Sequence, residues 1–539
     1  MPSFTAIRFG LGLLLTLVSG AAVAQNPAWT SAQSLSNAEG QKYGIGVAAD
    51  GSQYVTGAFT GTLVLGGTSL TAGAGAGHVF LAKCSAAGAI LWAAQLDSPN
   101  TLDSKLAVDA AGNVYLAGGF TTALTLGAAT LSASGTEAEP YVVKYNPQGV
   151  VQWNRQGGGT GSVQGIAIGP AGDLALTGTF VASIGFGGTT LAGGGAFYYK
   201  LSPTGSVLQA VQMTNRIYLT AVALDTDGNA YLTGQLSGNV TVGATVLTDR
   251  GGGDVLLCKI SPAGSVLWAV SDGTVASDSG TGVVVDAGGN PVVGGTFTNR
   301  FLSGPQYRET LMPYVARYTS QGSLIWKNTF PSYGNGPGGT IQAVAHDGQG
   351  GYLVTGFLWG ELTFNGTSIS SGLTTNGLVM RFDSQGTVGW YAMSGAAPPD
   401  FDGAALSLGG IAANAAGKVF VQGMISSSGT VAFGGLPRVG RGMVLAQLQP
   451  GAVLSTHAAL ATSSLAAYPN PATGYVTLAL PAGGGHLTVL DALGRVVREQ
   501  ELPPANEYAL PLSNLAPGLY QLCVKTKSGQ TAHSQLAVQ

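Results

Sequence analysis

Acidic side chains recur along this chain at a spacing of roughly 60 residues, which could serve a ligand site. They are Asp50, Asp109, Asp225, Asp286 and Asp347, with Gly169 and Asn414 at the two other places of the series. Carboxylates and carbonyl oxygens are the ligands of calcium, and the segment Asp225, Asp227, Gly228 and Asn229 comes nearest to such a set. Its spacing differs from the EF-hand loop, which has Gly at its sixth position and Glu at its twelfth. An Asx-type turn explains the same residues, so we assign no metal and keep Asp225, Asp227 and Asn229 as weak candidates.

A basic residue follows each of these places and keeps a fixed distance to a Gly and a Trp. The basic series is Lys83, Lys144, Lys200, Lys259, Arg317 and Arg381; a Gly follows after five residues, and Trp92, Trp153, Gln209, Trp268, Trp326 and Trp390 follow after nine. In a chain with only 9% charged residues, such regular acids and bases indicate a structural role. We predict that the Asp and the base of each copy pair within or between copies and fix register more than they stabilise.

Residues of the kinds used in catalysis are sparse. The five histidines have no metal-ligand spacing, and no H-E-x-x-H, G-x-S-x-G or phosphate-binding loop occurs. We therefore predict no catalytic residues and no cofactor. Asp400, Phe401 and Asp402 combine an aromatic ring with two carboxylates, which could hold a sugar or a cation. A solvated Gly-rich connector is the alternative interpretation of that segment.

A glycine repeats seven times and defines the elements that must position these residues. It occurs at Gly57, Gly118, Gly178, Gly234, Gly295, Gly356 and Gly423. Copy two shows the unit most cleanly: strands at 106–109 and 114–120 flank a turn, and strands at 141–144 and 150–153 flank a second turn. Two hairpins give four strands, the content of one propeller blade. The longer segments between hairpins carry a short alternation of their own, as at 124–126.

Copy seven lacks the second pattern, because Gln447 stands at the basic place and no Trp occurs near Ser455. The N-terminal region carries a spare piece, in which Trp29 and Gln33 echo Trp92 and Gln95. Closing a ring removes exposed sheet edges. We therefore predict that the Trp29 strand completes the seventh copy.

From about Trp29 to Leu454 the chain resembles the bacterial seven-bladed β-propeller repeat. The segments that carry the resemblance are A-x-D-x-x-G-N-x-Y-x-x-G, seen from Ala223 to Gly234, and K-x-x-x-x-G-x-x-x-W. The resemblance implies a fold and no particular activity, since propellers host many functions. In such a blade both hairpin tips lie on one face, and the variable connections, such as 97–103, 272–279, 333–339 and 398–402, lie on the other. We expect binding on that connection face.

The N-terminal residues read as an export signal, with Arg8, an apolar run at 11–18 and the cleavage site Ala22-Val23-Ala24. No later apolar run is long enough to span a membrane, so no transmembrane segment is expected in the mature protein. The net charge of −3 and the lack of a basic stripe argue against nucleic acid as a partner. Cys84, Cys258 and Cys523 are too few for a disulfide framework, and we expect all three to be free and buried.

After a linker at 456–465 the repeat gives way to short alternating strands, typical of a small β-sandwich. This region resembles the C-terminal sorting domain of the type IX secretion system of Bacteroidetes-type bacteria. The residues that carry the resemblance are Tyr468, Pro469, Asn470, Pro471, the Asp491–Arg495 segment with Gly494 and Arg495, and the Leu515–Tyr520 segment with Gly518 and Tyr520. The resemblance implies the type IX secretion machinery as a partner, and a location in the medium or on the outer cell surface.

The sequence thus predicts an all-β protein: a signal peptide at 1–24, a seven-bladed β-propeller at 25–455, a linker at 456–465 and an Ig-like sorting domain at 466–539. The expected function is that of an exported, non-catalytic binding or scaffold protein, with extracellular polysaccharide or a surface protein as its partner. The alternative is a carbohydrate-active enzyme, a polysaccharide hydrolase or lyase on a propeller scaffold. It would need converging carboxylates or a His on the connection face.

Overall fold

The computed structural model describes residues 27–36, 43–73, 78–96, 102–303, 306–330, 338–364, 367–395, 405–426, 429–449, 463–465, 467–480, 485–490, 496–505, 507–526 and 531–539. The regular structure of these residues is all-β, without a helix. The chain forms two compact units, one of Ala24–Gly451 and one that contains Ala452–Gln539. Among the described segments there is no helix of the length and hydropathy that crossing a membrane requires.

The larger unit begins with β1 (Ala28–Ser36), and the strands that follow form seven antiparallel sheets, of which six have four strands and the third has five. Sheet one contains β2 (Tyr43–Val47), β3 (Gln53–Phe59), β4 (Thr62–Leu65), β5 (Thr68–Thr71), β6 (His78–Cys84) and β7 (Ile90–Leu96). Sheet two contains β8 (Leu102–Val108), β9 (Val114–Phe120), β10 (Ala123–Leu126), β11 (Ala129–Ser132), β12 (Glu139–Tyr145) and β13 (Val151–Gln156). In each, the first two and last two strands form the sheet, and the middle pair forms a separate hairpin.

Sheets three and four follow the same plan. Sheet three contains β14 (Gly158–Ile168), β15 (Leu174–Phe186), β16 (Thr189–Ala192), β17 (Gly195–Leu201) and β18 (Val207–Met213), with β16 paired to the far end of β15. Sheet four contains β19 (Ile217–Leu224), β20 (Ala230–Leu236), β21 (Val240–Val242), β22 (Thr245–Leu247), β23 (Asp254–Ile260) and β24 (Val266–Asp272), with β21 and β22 as its extra hairpin.

In sheets five and six the extra hairpin is absorbed into two long central strands. Sheet five contains β25 (Ser279–Val285), β26 (Pro291–Ser303), β27 (Gln306–Tyr318) and β28 (Leu324–Thr329). Sheet six contains β29 (Gly338–His346), β30 (Tyr352–Phe364), β31 (Thr367–Phe382) and β32 (Val388–Met393). Sheet seven contains β33 (Leu406–Ala413), β34 (Val419–Ile425) and β35 (Gly442–Gln449), with β1 as its fourth strand.

The first strand of each sheet contacts the first strand of the next sheet, and β33 contacts β2. These contacts form a cycle of seven inner strands, although no described sheet closes on itself. The second strands are buried along their whole length in sheets one, two and seven, as expected for strands covered on both faces. The arrangement is therefore propeller-like, with cores between neighbouring sheets.

The predicted pairing of the N-terminal strand with copy seven is confirmed, because β1 is antiparallel to β35. The predicted residue correspondence is wrong. Ser31, and not Trp29, lies opposite Gln447, the place where sheets one, two, four, five and six have a Trp opposite the base. Trp29 lies opposite Leu448; its ring packs edge-on against Phe433 at 4.9 Å, and its Nε1 donates to the Met393 carbonyl oxygen of sheet six at 3.2 Å.

The recurrent glycine lies on the second strand of each sheet, opposite the inner strand. In sheets three to seven the inner strand bulges at this point, immediately after the residue opposite the glycine. A Cβ on Gly234 would overlap the carbonyl oxygen of Tyr218, and the equivalent overlap occurs at the other four glycines. A side chain is thus excluded where the bulged inner strand approaches most closely.

The smaller unit is built from two sheets. Its strands are β36 (Ser463–Ser464), β37 (Ala467–Tyr468), β38 (Tyr475–Ala479), β39 (Gly485–Leu490), β40 (Val496–Leu502), β41 (Glu507–Pro511), β42 (Gly518–Thr526) and β43 (Thr531–Val538). A five-stranded sheet runs β36-β43-β42-β39-β40, and a three-stranded sheet runs β37-β38-β41. Leu478, Leu487, Leu510 and Leu522 belong to one buried cluster to which both sheets contribute.

Candidate functional site

Five acidic residues of the repeat form ion pairs with basic residues of their own sheets. The nitrogen-to-oxygen distances are 3.9 Å for Lys144–Asp109, 3.0 Å for Lys200–Asp173, 3.4 Å for Lys259–Asp225, 2.7 Å for Arg317–Asp286 and 2.7 Å for Arg381–Asp347. Each base on the third strand reaches back to the turn that follows the first strand. The predicted structural pairing is therefore confirmed for these sheets.

At two places in the acidic series the structure differs from the correspondence predicted from the repeat spacing. In sheet one the turn begins at Ala48, so Asp50 is its third residue and not the counterpart of Asp109, which begins its turn. In sheet three Gly169 begins the turn, and Asp173 supplies the carboxylate from the fifth position. The acid can occupy either the first or the fifth position of the turn, because both positions lie within reach of one long basic side chain.

The oxygens of Asp225, the best calcium candidate, are occupied by protein donors. Oδ1 accepts the backbone N–H groups of Asp227 and Asn229 at 3.1 and 2.8 Å, and Oδ2 accepts the Tyr231 hydroxyl at 3.1 Å. Burial alone would raise the pKa of Asp225, but the bonds from Asn229 and Tyr231 and the charge of Lys259 lower it. No described group of three or more His, Cys, Asp or Glu has the geometry to hold a metal ion. This is the geometry of the Asx-type turn.

Four of the repeat tryptophans join their own sheet to the next one. Nε1 donates to a carbonyl oxygen of the following sheet's second turn, from Trp92 to Pro147, Trp153 to Pro203, Trp268 to Ser320 and Trp326 to Ser384, at 2.9–3.1 Å. Gln209, which replaces Trp in sheet three, donates to Pro262 at 3.1 Å. The side chains of Lys83, Lys144 and Arg317 also donate hydrogen bonds to carbonyl oxygens of these turns. These residues thus have a structural role between sheets.

Two buried carboxylates converge between sheets four and five, which the sequence analysis missed. Asp254 begins β23, Asp278 precedes β25, and both are fully buried. A Cβ on Gly273 would touch both carboxylates. Burial raises the pKa of Asp278 to about 6 and also raises that of Asp254. No local motif marks them, because the two residues are 24 positions apart in the sequence: Asp254 lies on a strand, and Asp278 lies in the connection before β25. Their complete burial keeps substrate from reaching them.

A cavity of about 220 Å³ lies where the seven inner strands meet, and we name it the central channel. Every inner strand contributes to its lining. The bulged residues form a layer of Gln164, Thr220, Thr281, Gln342 and Gly409, and the aliphatic layer beside it is Ile45, Leu106, Ile166, Val222, Val283, Val344 and Ile411. Lys105 of β8 is the only charged residue among the described residues that line it.

Hydrogen bonds between neighbouring inner strands hold this layer in place. Thr220 Oγ1 donates to the Gly280 carbonyl oxygen of sheet five at 2.6 Å, and Thr281 Oγ1 donates to Ile341 of sheet six at 2.6 Å. Ser407 of sheet seven donates to Gln342 Oε1 at 3.0 Å. The recurrent glycine is the sequence signal for this layer, because it lies opposite the bulge that turns these residues inward.

The remaining predicted residues divide between described and undescribed parts of the chain. Asp400, Phe401 and Asp402, and Gly494 and Arg495 of the sorting motif, lie outside the described residues. In the smaller unit Tyr468 OH donates to Glu507 Oε1 at 2.5 Å, and Ala537 N donates to Asn470 Oδ1 at 2.9 Å. The peptide bonds before Pro469 and Pro471 are both cis.

The second half of the motif is anchored in the five-stranded sheet. Gly518 begins β42 opposite Val538, and Tyr520 OH donates to the Ala516 carbonyl oxygen at 2.7 Å. Together with the Asn470 contact, these positions connect the motif to the last strand, β43. Of the three cysteines, Cys84 and Cys258 are free and buried as expected; the side chain of Cys523 lies outside the described residues.

Comparison with solved structures finds matches of low identity. Virginiamycin B lyase from Staphylococcus aureus is 11% identical, covers 78% of this chain and 98% of its own, and has a TM-score of 0.40. The Pan2 WD40 domain of Neurospora crassa is 9% identical, with coverages of 76% and 89% and a TM-score of 0.38. PorZ, a surface component of the type-IX secretion system of Porphyromonas gingivalis, is 13% identical, with coverages of 92% and 75% and a TM-score of 0.26. At these scores no functional argument follows.

No curated protein matches this chain. The family described as the secretion system C-terminal sorting domain matches residues 466–539. This match confirms the identity predicted for the smaller unit from its three motifs, and it indicates secretion to the outer surface or the medium. The C-terminal part of this chain is a secretion-system sorting domain, joined to an all-β unit that contains seven antiparallel sheets of four or five strands.

Proposed function

We propose that this protein is an exported, non-catalytic seven-bladed β-propeller that acts as a binding scaffold on the outer cell surface or in the medium. The observation that carries the proposal is the sorting domain at 466–539, attached to a unit in which seven inner strands contact one another in a cycle. The type IX secretion machinery is the partner that the sorting domain implies. An Ig-like sandwich is the proposed fold of that domain, supported by its two sheets and shared core.

The state of the carboxylates supports a non-catalytic role. The repeat carboxylates are held by bases and turn N–H groups, and the converging pair Asp254 and Asp278 is fully buried. A polysaccharide hydrolase needs a pair of carboxylates that its substrate can reach. We propose that the partner, an extracellular polysaccharide or a surface protein, binds on the connection face, where Asp400, Phe401 and Asp402 are candidate contacts.

The export part of the proposal is tested in a bacterium that has a type IX secretion system. The full chain and a chain ending before residue 466 are expressed, and both are followed in periplasm, cell surface and medium. We expect the full chain outside the cell and the shortened chain in the periplasm. Equal export of both chains would contradict the proposed role of the sorting domain.

The binding part is tested with the purified full chain on an array of extracellular polysaccharides, together with an assay for newly released reducing ends. Binding without release of reducing ends is the expected result. Turnover that disappears in Asp254→Asn or Asp278→Asn would instead favour the carbohydrate-active enzyme.

A further inference from the structure

The central channel contains one positive charge in a largely uncharged wall. Lys105 is half-buried, and among the described residues no carboxylate forms an ion pair with it. The repeat lysines Lys144, Lys200 and Lys259 each have an Asp partner. Because a partly buried ammonium group without a counter-charge is costly, an anion that entered the channel would be stabilised there.

Neutral polar residues line the channel on the inner strands that follow β8. Gln164 is the bulged residue of β14, the inner strand beside β8, and it lines the channel. The hydroxyls of Thr220 and Thr281 are committed to carbonyl oxygens of the next sheet. The charge of Lys105 and the amide of Gln164 are therefore the side-chain groups that a ligand would meet on this side of the channel.

The backbone adds further donors. Each inner strand has a sheet neighbour on one side only, so alternate N–H and C=O groups on its other side face the channel. Gly44, Gly165, Gly282 and Gly410 line the channel where neighbouring inner strands approach each other, because a Cβ on each would contact the next inner strand. Glycine is also required for close approach, since a Cβ on Gly165 would lie 2.9 Å from Ala221 Cα. The edge N–H groups of the inner strands are therefore the backbone donors that a ligand in the channel would meet.

Size and charge narrow the class of ligand. A cavity of about 220 Å³ admits a small molecule or one residue of a polymer, and a single lysine matches a single negative charge. The aliphatic layer beside Lys105 disfavours a second charge deeper in the channel. We propose that the central channel binds the carboxylate of a small, hydroxyl-rich organic acid, either free or as the acidic sugar at the end of a polysaccharide. Lys105 forms the ion pair, and Gln164 donates a hydrogen bond. The proposal does not depend on the route of export.

The test measures binding of defined probes to the purified full chain by isothermal titration calorimetry at low ionic strength. The probes are glucuronate, a short oligoglucuronate and acetate, with glucose and sulfate as comparison ligands. We expect glucuronate to bind at one site and glucose to bind at least tenfold more weakly. Tighter binding of the oligoglucuronate would identify a polymer end as the source, and equal binding would identify the free acid.

The variants assign the site. Lys105→Met is expected to weaken glucuronate binding by about ten- to hundredfold, the usual effect of losing a charge-assisted bond, and Lys105→Arg to retain most of it. Gln164→Leu should weaken it by about tenfold or less. Lys418→Met is the matched control, because Lys418 is also half-buried but lies outside the channel, where it donates to Ala86. Melting temperatures establish that each variant is folded.

Three results would overturn the proposal: no glucuronate binding to the wild-type chain, equal binding of glucuronate and glucose, or unchanged binding in folded Lys105→Met. The first two are read on the wild-type protein, so they decide the question even if a variant does not fold.

Discussion

The Lys200 ammonium group lies 3.0 Å from the Asp173 carboxylate, although the third repeat has Gly169 where the second, fourth, fifth and sixth repeats have Asp. In the third repeat the carboxylate lies at the other end of the turn, and it forms the same kind of ion pair with the base of the third strand. What recurs in this unit is therefore the pair between the turn and the third strand. The position of the acid in the repeat is secondary.

Removal of the most enclosed of these carboxylates is expected to destabilise the larger unit strongly. Asp225→Ala would leave Lys259 buried without its partner, and it would remove the acceptor of the Asn229 backbone N–H and side-chain amide. We expect a loss of about 3–5 kcal/mol in the free energy of unfolding, measured in urea. Asp227→Ala, two residues away on the exposed side of the same turn, should change it by less than about 0.5 kcal/mol. Similar losses in both variants would contradict the buried pair.

The recurrent glycine is expected to tolerate no side chain. In Gly234→Ala the new methyl group would overlap the Tyr218 carbonyl oxygen of the bulged inner strand. The strands would have to separate, at a cost of about 1–3 kcal/mol or more. Gly435→Ala is the control, because an added Cβ there meets nothing within 4 Å. Thermal unfolding of both variants tests the assignment, which a stable Gly234→Ala protein would refute.

Deletion of residues 27–36 should expose the edge of sheet seven. β1 covers β35, and Trp29 ties it to sheet six through the Met393 carbonyl oxygen. Without β1 the unpaired edge of β35 is available to other chains, so we expect a lower melting temperature and concentration-dependent association. Analytical ultracentrifugation measures the association. Trp29→Ala, which keeps the strand, should lower the melting temperature without association.

The buried carboxylate Asp278 should give an unusual dependence of stability on pH. Its pKa is raised to about 6 in the folded protein from 3.8, the ordinary value for an aspartate side chain, chiefly by burial. Between these values the folded state retains a proton that the unfolded state loses, so the contribution of Asp278 to stability falls as pH rises and is constant above about 6. Asp278→Asn should therefore gain stability relative to the wild-type protein as pH rises from about 4 to 6.

Asp383→Asn, which removes one charge from an exposed turn, controls for the change in net charge in that experiment. Urea unfolding at several pH values provides the measurement. A difference between wild type and Asp278→Asn that does not vary with pH would show that Asp278 titrates normally.

Much of the fold could be predicted from the sequence because its signals are local. The two hairpins of each repeat follow from alternating apolar residues around Gly-containing turns, and all four predicted strands of sheet two occur. The strand Val114–Phe120 has its predicted bounds, whereas Leu102–Val108 begins four residues before the predicted start. The pairing of the Trp29 strand was predictable because copy seven lacks a strand. Its register was not, since the position of Trp29 depends on contacts with Phe433 and Met393 in other parts of the chain.

The candidate site was largely beyond the reach of sequence reasoning. Nothing in the sequence around Lys105 distinguishes it from other strand residues. Its place in a binding site becomes evident only because seven strands that are distant in sequence enclose one cavity. Asp254 and Asp278 likewise lie in unrelated segments and share no motif. By contrast, the sorting motif was recognisable because Tyr468 to Pro471 and Gly518 to Tyr520 are short contiguous segments.

The sequence by itself determined the repeat, the strand content and the sorting domain, because each depends on the order of neighbouring residues. Only the tertiary structure decided that Asp173 is the partner of Lys200, in which register β1 pairs with β35, and which residues line the central channel. Those outcomes depend on contacts between residues that are far apart in the sequence, and the order of neighbouring residues does not specify such contacts.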